Sequence, residues 1–161
     1  MFKHILVAID GSTYSQQALP TAVEVARKFS SEVLVLHVSE HDRGRAVAYS
    51  LETPAAATRL VADAVKTVRD AGITAKGELR DVAAGHVAKA IVETAGANNI
   101  ELIVMGSRGL SDVQGLLLGS VTHKVIQIAT IPVLVDRTRG VKELSAEAAP
   151  KMARTGALAA G

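Results

Sequence analysis

The segment HILVAID, at residues 4–10, decides the fold class of this chain. It is a short and uninterrupted apolar run, which is typical of a strand that lies in a parallel sheet and is buried on both faces. Two more runs of the same kind follow, EVLVLHVS at residues 32–39 and IELIVMG at residues 100–106. A fourth, IPVLVDR at residues 131–137, contains Pro132 near its start, a position that suits an edge strand. The sequence therefore predicts a sheet whose inner strands are covered on both faces.

Segments with helical periodicity separate these strands. The clearest carries apolar residues at i, i+3, i+4, i+7, i+8 and i+11 from Ala57 to Val68, and Gly72 follows at a position suited to a C-terminal cap. Pro20 interrupts the first predicted helix, so we expect it either in the first turn or at a bend. The remaining predicted elements are helices within residues 11–31, 85–96 and 119–130, a loop at residues 40–54 and a weakly alternating, exposed edge strand at residues 73–80.

Five strands that alternate with four helices predict an α/β fold, with an open and mostly parallel sheet and right-handed crossovers. The chain has 161 residues, of which 48% are hydrophobic, and this suits a single domain with a substantial core. We assign residues 1–137 to that domain. Residues 138–161 have few large apolar side chains, and we expect them to form a tail that is mobile or docked on a partner.

Composition argues against several classes of function. Aromatic residues make up 2% of the chain and Trp is absent, so the platforms that stack on single-stranded nucleic acid are missing. The formal net charge of +2 comes from 18 basic and 16 acidic residues, an excess too small for a nucleic-acid footprint. No apolar run reaches the ~18 residues of a membrane span. The chain has no Cys, which excludes disulfides and thiolate catalysis and is compatible with the cytoplasmic location that we expect.

Ligands of open parallel sheets bind outside the carboxyl ends of the strands, where the strand order reverses. Loops that leave strands are therefore the candidates, and the one from Gly106 to Ser120 is rich in glycine. Glycine lets the backbone take up a positive φ and approach a ligand closely, so that successive N–H groups can form an anion-binding nest. Gly119 and Ser120 open the next predicted helix, whose free amides and positive dipole end favour a phosphate. Together with Gly109, these residues predict a phosphate cradle.

Polar side chains beside this loop add to the predicted site. Ser120 and Thr122 can donate their hydroxyl groups to a phosphate, and Arg108 can supply a fixed positive charge. Asp10, at the end of the first predicted strand, can accept hydrogen bonds from a ribose or hold a divalent cation against phosphate oxygens. The two common phosphate-loop motifs, G-x-x-x-x-G-K-[ST] and G-x-G-x-x-G, are both absent from the chain.

Each of these residues also has a purely structural interpretation. Gly106 and Gly109, taken singly, are typical of turns and Ser120 of an N-cap, but their fixed spacing between a buried strand and a helix favours a binding site. Asp10, followed by Gly and Ser, is equally typical of an ordinary strand-to-helix turn. No catalytic residue and no set of metal ligands is predicted. The other residues considered are expected to lie apart from the site, namely the leucines 116–118, packed on the body of the protein or on a second subunit, and the histidines 37 and 41.

Three segments resemble the universal stress protein family: ILVAIDGSTYSQQAL near the start, ELIVMGSRG in the middle, and GLLLGSVTHKVIQIATIPVLV later in the chain. The resemblance covers roughly residues 2 to 137. The family spacing G-x2-G-x9-G-[ST], which marks its ATP-binding members, is met in full by Gly106, Gly109, Gly119 and Ser120. The resemblance implies a Rossmann-type sheet, similar to adenine-nucleotide hydrolases, with the strand order 3-2-1-4-5 and helices on both faces. In that order the first and fourth strands are neighbours, so the two candidate loops would face one crevice.

The resemblance also implies which residues touch the nucleotide. One group lines the adenosine, with Val38 in contact through its backbone. A second group holds the ribose and the first phosphates, and a third surrounds the remaining phosphates. The residues at the adenosine are Ala8, Asp10 and Val38. Those at the ribose and first phosphates are Met105, Gly106 and Gly109, and those at the remaining phosphates are Gly119, Ser120, Val121 and Thr122.

The function that the resemblance implies is that of an ATP-binding regulatory protein of a stress response, with Mg²⁺ or Mn²⁺ as the candidate metal and an unidentified protein as its target. Members of this type dimerise through the last strand, here Ile131 to Asp136, which would cover an otherwise open apolar edge. Two alternatives stay open. The first is a slow ATPase or nucleotidyl-transferring enzyme that uses Asp10 and a divalent metal, although no general base is evident for rapid turnover. The second is a binder of AMP or cyclic AMP.

Overall fold

The computed structural model describes residues 1–41, 53–109 and 118–137 of the chain. Within these ranges strands and helices alternate, as the sequence predicts. They are β1 (His4–Ile9), α1 (Thr13–Phe29), β2 (Glu32–His41), α2 (Pro54–Asp70), β3 (Ala75–Ala83), α3 (Val87–Ala97), β4 (Leu102–Gly106), α4 (Ser120–Ile128) and β5 (Val133–Asp136). The predicted tail at residues 138–161 and the first two leucines of the run 116–118 lie outside the described residues.

The five strands form one sheet in the order β3-β2-β1-β4-β5, and each neighbouring pair is parallel. This confirms the predicted fold class and strand order. β1 is central, since Ala8 pairs with Leu36 of β2 on one side and with Met105 of β4 on the other. The strand order reverses between β1 and β4. The loops that follow these two strands therefore leave the sheet side by side and lead away in opposite directions.

Side chains of the central strand alternate between two cores. Ile5 and Val7 of β1 lie with α1 and α2 on one face of the sheet, whereas Leu6 and Ala8 lie with α3 and α4 on the other. Ile5, Leu6 and Val7, which follow the exposed His4 at the start of β1, are 0% exposed. A strand that is buried on both faces has no position facing water, which is the physical reason for the uninterrupted apolar run in the sequence.

The first helix, α1, begins with a side-chain cap and contains a proline. Ser12 is its N-cap, and Ser12 Oγ accepts a hydrogen bond from the Ser15 N–H at 3.2 Å. Pro20 lies in the helix interior, so the predicted alternative of a place in the first turn is wrong. The side of the helix that holds Pro20 is exposed, so the carbonyl that loses its helical N–H partner lies close to water.

The second helix, α2, confirms the prediction made from its periodicity. Thr53 is the N-cap, and Thr53 Oγ1 accepts a hydrogen bond from the Ala56 N–H at 3.2 Å. Gly72 has a φ of +81° just after the helix, the left-handed conformation that ends helices and favours glycine. The apolar face is buried at Ala57, Val61, Ala64, Val65 and Val68.

The predicted loop at residues 40–54 is wrong at both ends. Glu40 and His41 continue β2, where they pair with Val82 and Ala83 of β3. These residues are polar, so their strand conformation comes from backbone pairing with a long neighbour and not from burial, and hydrophobic patterning does not reveal it. At the other end, Pro54 already begins α2. Residues 42–52 lie outside the described part of the chain.

The two edges of the sheet are β3 and β5. β3 is an edge strand with alternating exposed positions, as predicted, and it extends to Ala83. β5 is short and follows Pro132, which agrees with the predicted edge position. Of the helices in the described ranges, none is both long and apolar enough to cross a membrane.

Candidate functional site

The turn after β1 holds the carboxylate of Asp10 in a defined position. Asp10 Oδ1 accepts a hydrogen bond from the Ser12 N–H at 3.0 Å, and the Asp10 N–H donates to Ser15 Oγ at 3.2 Å. Gly11, between them, has a φ of +80°, so the turn requires a residue that tolerates the left-handed region. The Asp-Gly-Ser stretch is therefore both the start of α1 and the support of a carboxylate at the carboxyl end of β1.

Gly109 brings the loop that follows β4 against this carboxylate. A Cβ atom added to Gly109 would lie 2.5 Å from Asp10 Oδ2. A side chain at this position would therefore displace Asp10. The structure thus brings together two residues from the two loops that the sequence analysis singled out, 99 positions apart in the chain, at the reversal of strand order.

Gly106 has a different physical role. A Cβ atom at Gly106 would lie 2.7 Å from both the carbonyl carbon and the carbonyl oxygen of Tyr14, and 3.0 Å from the Ser15 nitrogen. The first turn of α1 therefore packs directly on the backbone at the end of β4. Because these neighbours are backbone atoms, they cannot rotate out of the way. Gly106 is required by the packing of α1 on the sheet, whatever its predicted contact with a ligand.

Gly119 is the N-cap of α4 and provides no side-chain cap. Its N–H donates to the Ser107 carbonyl at 2.8 Å, and a Cβ atom at Gly119 would lie 3.2 Å from Arg108 Cα. The start of α4 is thus fixed against the residues that follow β4. The first amides of a helix have no intrahelical acceptor, so the N-terminus of α4 presents donors and the positive end of its dipole at this place.

Close approach, and not a left-handed backbone, explains the three motif glycines. Within the described ranges, the glycines with positive φ are Gly11, Gly72 and Gly85, and none of the three belongs to the motif. Gly106, Gly109 and Gly119 instead lie where a Cβ atom would meet a neighbouring loop or helix. None of the three motif glycines therefore uses the positive φ that glycine permits. Their close neighbours are atoms of the protein, and their close approach to a ligand stays a prediction.

The two hydroxyl groups predicted to donate to a phosphate differ in their surroundings. Thr122 is 3% exposed, and its Oγ1 donates to the Gly106 carbonyl at 2.9 Å, so this proton is already engaged within the protein. The bond ties the first turn of α4 to the end of β4. Ser120 is exposed. Of the two side chains, Ser120 is thus the one suited to donate to a ligand.

Arg108 extends towards α1. Its Nη1 donates to the Tyr14 hydroxyl at 3.3 Å, and its Cζ lies 5.6 Å from the centre of the Tyr14 ring. Both distances fit a hydrogen bond combined with a cation–π contact. The positive charge predicted near the phosphates is therefore held beside the first turn of α1.

Two predicted adenosine residues, Ala8 and Val38, lie on the sheet face that α3 and α4 cover. Met105, predicted at the ribose, and Val121, predicted at the phosphates, lie on the same face. Ala8 and Met105 pair across β1 and β4, and both are buried in the core cluster of that face. Val38 and Val121 are half-buried and pack against the same cluster. These four residues share one face near the carboxyl ends of the strands. Their contacts with a nucleotide stay a prediction.

Sequence reasoning missed the residues that support the site. Ser15 holds Asp10, and Tyr14 holds Arg108. The Ser107 carbonyl accepts a hydrogen bond from the Gly119 N–H, and the Ser107 N–H donates to the Asp136 carbonyl at 2.8 Å. For Ser15, the available sequence signal was its position three residues after Ser12, the N-cap of α1. For Tyr14 and Ser107 the contacts join distant parts of the chain, and no local pattern reveals them.

The histidines at the end of β2 have protein partners. His37 is 4% exposed, and its Nδ1 lies 2.8 Å from the Ile9 carbonyl oxygen. A carbonyl only accepts, so Nδ1 carries the proton. His41 Nδ1 lies 2.7 Å from Asp81 Oδ1. In the part of the chain that the structure describes, no three or more His, Asp or Glu side chains gather as a candidate metal site.

A cavity of about 480 Å³ opens between the turn after β1 and the first turns of α2. It reaches the predicted site only at Gly11, the neighbour of Asp10. None of its lining residues is a predicted site residue; they are Gly11, Thr53, Ala55, Ala56, Arg59, Leu60 and Asp63. The predicted site therefore rests on the contacts between its loops and not on this cavity.

Comparison with known proteins identifies the family of this chain. The family model described as "Universal stress protein family" matches residues 1–137. The chain belongs to the universal stress protein family. Universal stress protein YxiE of Bacillus subtilis (strain 168) is 34% identical to it over 156 residues, which cover 85% of this chain and 100% of that protein.

Solved structures of universal stress proteins share the fold. The protein MJ0577, whose biochemical function was assigned from its structure, is 29% identical with a TM-score of 0.72, and the match covers 86% of this chain and 98% of that one. A universal stress protein solved in complex with cAMP is 26% identical with a TM-score of 0.64, and the match covers 86% of this chain and 99% of that one.

Proposed function

We propose that this universal stress protein binds an adenine nucleotide, with ATP as the first candidate, at the carboxyl ends of β1 and β4. The observation that carries the proposal is the contact between Asp10 and Gly109 beside the N-terminus of α4, at the reversal of strand order. A related universal stress protein has been solved in complex with cAMP, which supports the same class of ligand. The protein would act as a regulatory module whose surface for a target protein changes with nucleotide occupancy.

Different site residues suit different parts of the nucleotide. The amides that open α4 and the exposed Ser120 suit the phosphates, since they combine unpaired helical donors with a positive dipole end. Asp10 suits the ribose hydroxyls, because its carboxylate accepts hydrogen bonds and is already oriented by the turn. Ala8 and Val38 lie on the side proposed for the adenosine, and Met105, on the same face of the sheet, is proposed for the ribose.

A divalent cation, Mg²⁺ or Mn²⁺, would enter with the phosphates. The Asp10 carboxylate lies beside Gly109, which fits a cation held mainly by phosphate oxygens and water. The ion would supply charge neutralisation for the phosphates. We propose binding as the function, so loss of the terminal phosphate during incubation, abolished in Asp10→Asn, would instead indicate a slow ATPase.

The experiment that tests the proposal is calorimetry of the full chain with ATP, AMP and cAMP, each with and without Mg²⁺. Mass spectrometry of the ligand carried through purification identifies the nucleotide independently. Binding of any adenine nucleotide at micromolar to low millimolar concentration is the expected result, and AMP or cAMP as the tightest ligand would replace ATP in the proposal. Absence of binding for all three nucleotides would refute it.

A matched pair of variants locates the binding. Gly119→Val adds a side chain where a Cβ atom already lies 3.2 Å from Arg108 Cα, and it should abolish binding. Gly96→Ala serves as the control, because a Cβ atom at Gly96 meets nothing within 4 Å and lies in α3, away from the two loops. Equal affinity in Gly119→Val and the native protein would place the nucleotide elsewhere.

We further propose that the protein is a cytoplasmic homodimer that pairs through the strand Ile131 to Asp136. β5 is an edge strand, and the adjoining helix α4 carries two exposed apolar side chains, Ile126 at 45% and Ile128 at 46%. A second copy of this chain would cover both features, which is the usual way to protect an apolar sheet edge.

A further inference from the structure

Tyr14 contacts both the end of β4 and the loop that follows it. A Cβ atom on Gly106, the last residue of β4, would lie 2.7 Å from the Tyr14 carbonyl group. The Tyr14 hydroxyl accepts a hydrogen bond from Arg108 Nη1, in the loop, at 3.3 Å. Tyr14 is half-buried in the first turn of α1. The backbone contact fixes the position of the Tyr14 main chain, from which the ring extends to the guanidinium.

Tyr14 makes contacts of two different kinds with Arg108. The hydrogen bond to the Tyr14 hydroxyl fixes one nitrogen, and the ring face lies 5.6 Å from Cζ, within the range of a cation–π contact. An unrestrained arginine loses side-chain conformational entropy when a ligand immobilises it. A guanidinium that is already held loses less, so the same charge binds an anion more tightly.

The position of this charge complements that of the α4 amides. The backbone of Arg108 lies directly against Gly119, the N-cap of α4. Its side chain instead extends to α1, which packs on the opposite face of the sheet from α4. The guanidinium and the helix N-terminus therefore approach the carboxyl end of β4 from opposite sides. A single phosphate can be close to one of them, whereas a chain of phosphates can extend between both.

We propose that Tyr14 is a positioning residue for Arg108, and that the pair makes the site prefer nucleoside polyphosphates to nucleoside monophosphates. The proposal rests on the proposed function and names the phosphate number that the site selects. Tyr14 acts through Arg108 and does not itself bind the nucleotide.

The test is a double-mutant cycle on the full chain, with ATP and AMP affinities measured by calorimetry at fixed Mg²⁺. Tyr14→Ala should weaken ATP binding by about five- to tenfold, the scale of one ordinary hydrogen bond, and change AMP binding by less than about twofold. Tyr14→Phe keeps the ring and should give a smaller loss. Arg108→Ala should weaken ATP binding at least as much as Tyr14→Ala, and Tyr14→Ala should have no further effect in the Arg108→Ala background.

Salt provides a readout that a merely structural role would not change. Raising the ionic strength should narrow the ATP-to-AMP affinity ratio of the native protein more than that of Tyr14→Ala, because the variant keeps the Arg108 charge but no longer holds it in place. Tyr14→Phe guards against a folding defect, since it keeps the packing of the ring.

The inference fails if Tyr14→Ala and Tyr14→Phe weaken ATP and AMP by the same factor, or if the Tyr14 effect persists in the Arg108→Ala background. Either result would give Tyr14 a structural role only. A native protein that binds neither nucleotide would refute the proposed function itself, whereas a native protein that binds both nucleotides equally would refute this inference alone.

Discussion

At the scale of single residues, the glycines of one motif serve different physical purposes. Gly106 lets α1 pack on the end of β4, Gly109 lets a loop reach the Asp10 carboxylate, and Gly119 starts α4 beside Arg108. The identity of the neighbouring atom decides how a substitution acts. Backbone neighbours cannot move aside, so stability suffers, whereas the end of a side chain can move, so the site is disturbed instead.

Gly106→Ala should lower the free energy of unfolding by about 1–3 kcal/mol, the cost of overpacking a rigid contact. The added methyl group would meet the Tyr14 backbone at 2.7 Å. Denaturant unfolding measures the loss. Gly96→Ala is the control, and in the open surroundings of helix α3 it should instead raise the free energy of unfolding by about 0.5–1 kcal/mol. A neutral Gly106→Ala would mean that α1 packs less closely on β4 than the structure indicates.

Gly109→Ala should leave the free energy of unfolding nearly unchanged but weaken nucleotide binding by about tenfold, roughly 1.4 kcal/mol. The new methyl group would displace Asp10 Oδ2, which lies 2.5 Å from its position. Calorimetry with ATP measures the loss. In an Asp10→Ala background there is no carboxylate to displace, so the same change should have little further effect. Additive effects would contradict a mechanism through Asp10.

At the scale of elements, the start of α1 combines a helix cap with the support of a functional carboxylate. Ser12 accepts from the Ser15 N–H through its side chain and donates its own N–H to Asp10. Ser15 Oγ in turn donates to the Ser12 carbonyl at 3.0 Å and accepts from the Asp10 N–H. The cap of α2 at Thr53 has the same side-chain geometry but supports no carboxylate of the predicted site.

Ser12→Ala and Thr53→Ala should each lower the free energy of unfolding by about 1 kcal/mol, the usual cost of losing an N-cap side chain. Only Ser12→Ala should also weaken nucleotide binding, because only this cap orients Asp10. Denaturant unfolding and calorimetry on the two variants separate the effects. Equal nucleotide affinity in both variants would show that Asp10 is held without the cap.

At the scale of the whole molecule, the open sheet places the two functional loops together and leaves two edges of unequal character. Four large apolar side chains are exposed in the described ranges: Met1, Leu79, Ile126 and Ile128. Leu79 lies on the edge strand β3, whereas the two isoleucines lie on α4 beside the short edge strand β5. The two exposed isoleucines support pairing at the β5 edge, and Leu79 supplies a control at the β3 edge.

Replacing Ile126 and Ile128 with Glu should convert a dimer to monomers in sedimentation equilibrium. Both side chains are nearly half exposed, so the fold of each subunit should tolerate the change. Leu79→Glu introduces the same charge at a similarly exposed position of the opposite edge and should leave the sedimentation unchanged. Dimers that survive the double change would place the interface elsewhere.

A chain that ends at Arg137 should keep the nucleotide affinity and the melting temperature of the full chain. The family model matches residues 1–137, and we propose this range as the domain. Calorimetry and thermal unfolding test it. A large loss of either quantity would show that residues 138–161 contribute to the folded unit.

Much of the fold follows from local patterns in the sequence. The apolar run at residues 4–10 indicates a strand buried on both faces, and the periodicity from Ala57 to Val68 indicates a helix, because both patterns reflect which side chains must avoid water. The extension of β2 to His41 does not follow, since its polar residues are held in the strand by pairing with β3. The interior position of Pro20 is likewise settled by the rest of α1, whose packed face outweighs one lost hydrogen bond.

The sequence by itself determined the fold class, the strands and helices, and the two loops in which a site was to be sought, because burial and turn chemistry are encoded locally. Only the tertiary structure decided what each motif residue does. It assigns Gly106 to helix packing, joins Gly109 to Asp10, engages the Thr122 hydroxyl and holds Arg108 on Tyr14. Each of these contacts joins positions far apart in the chain, and their distances depend on how α1 and α4 settle on opposite faces of one sheet.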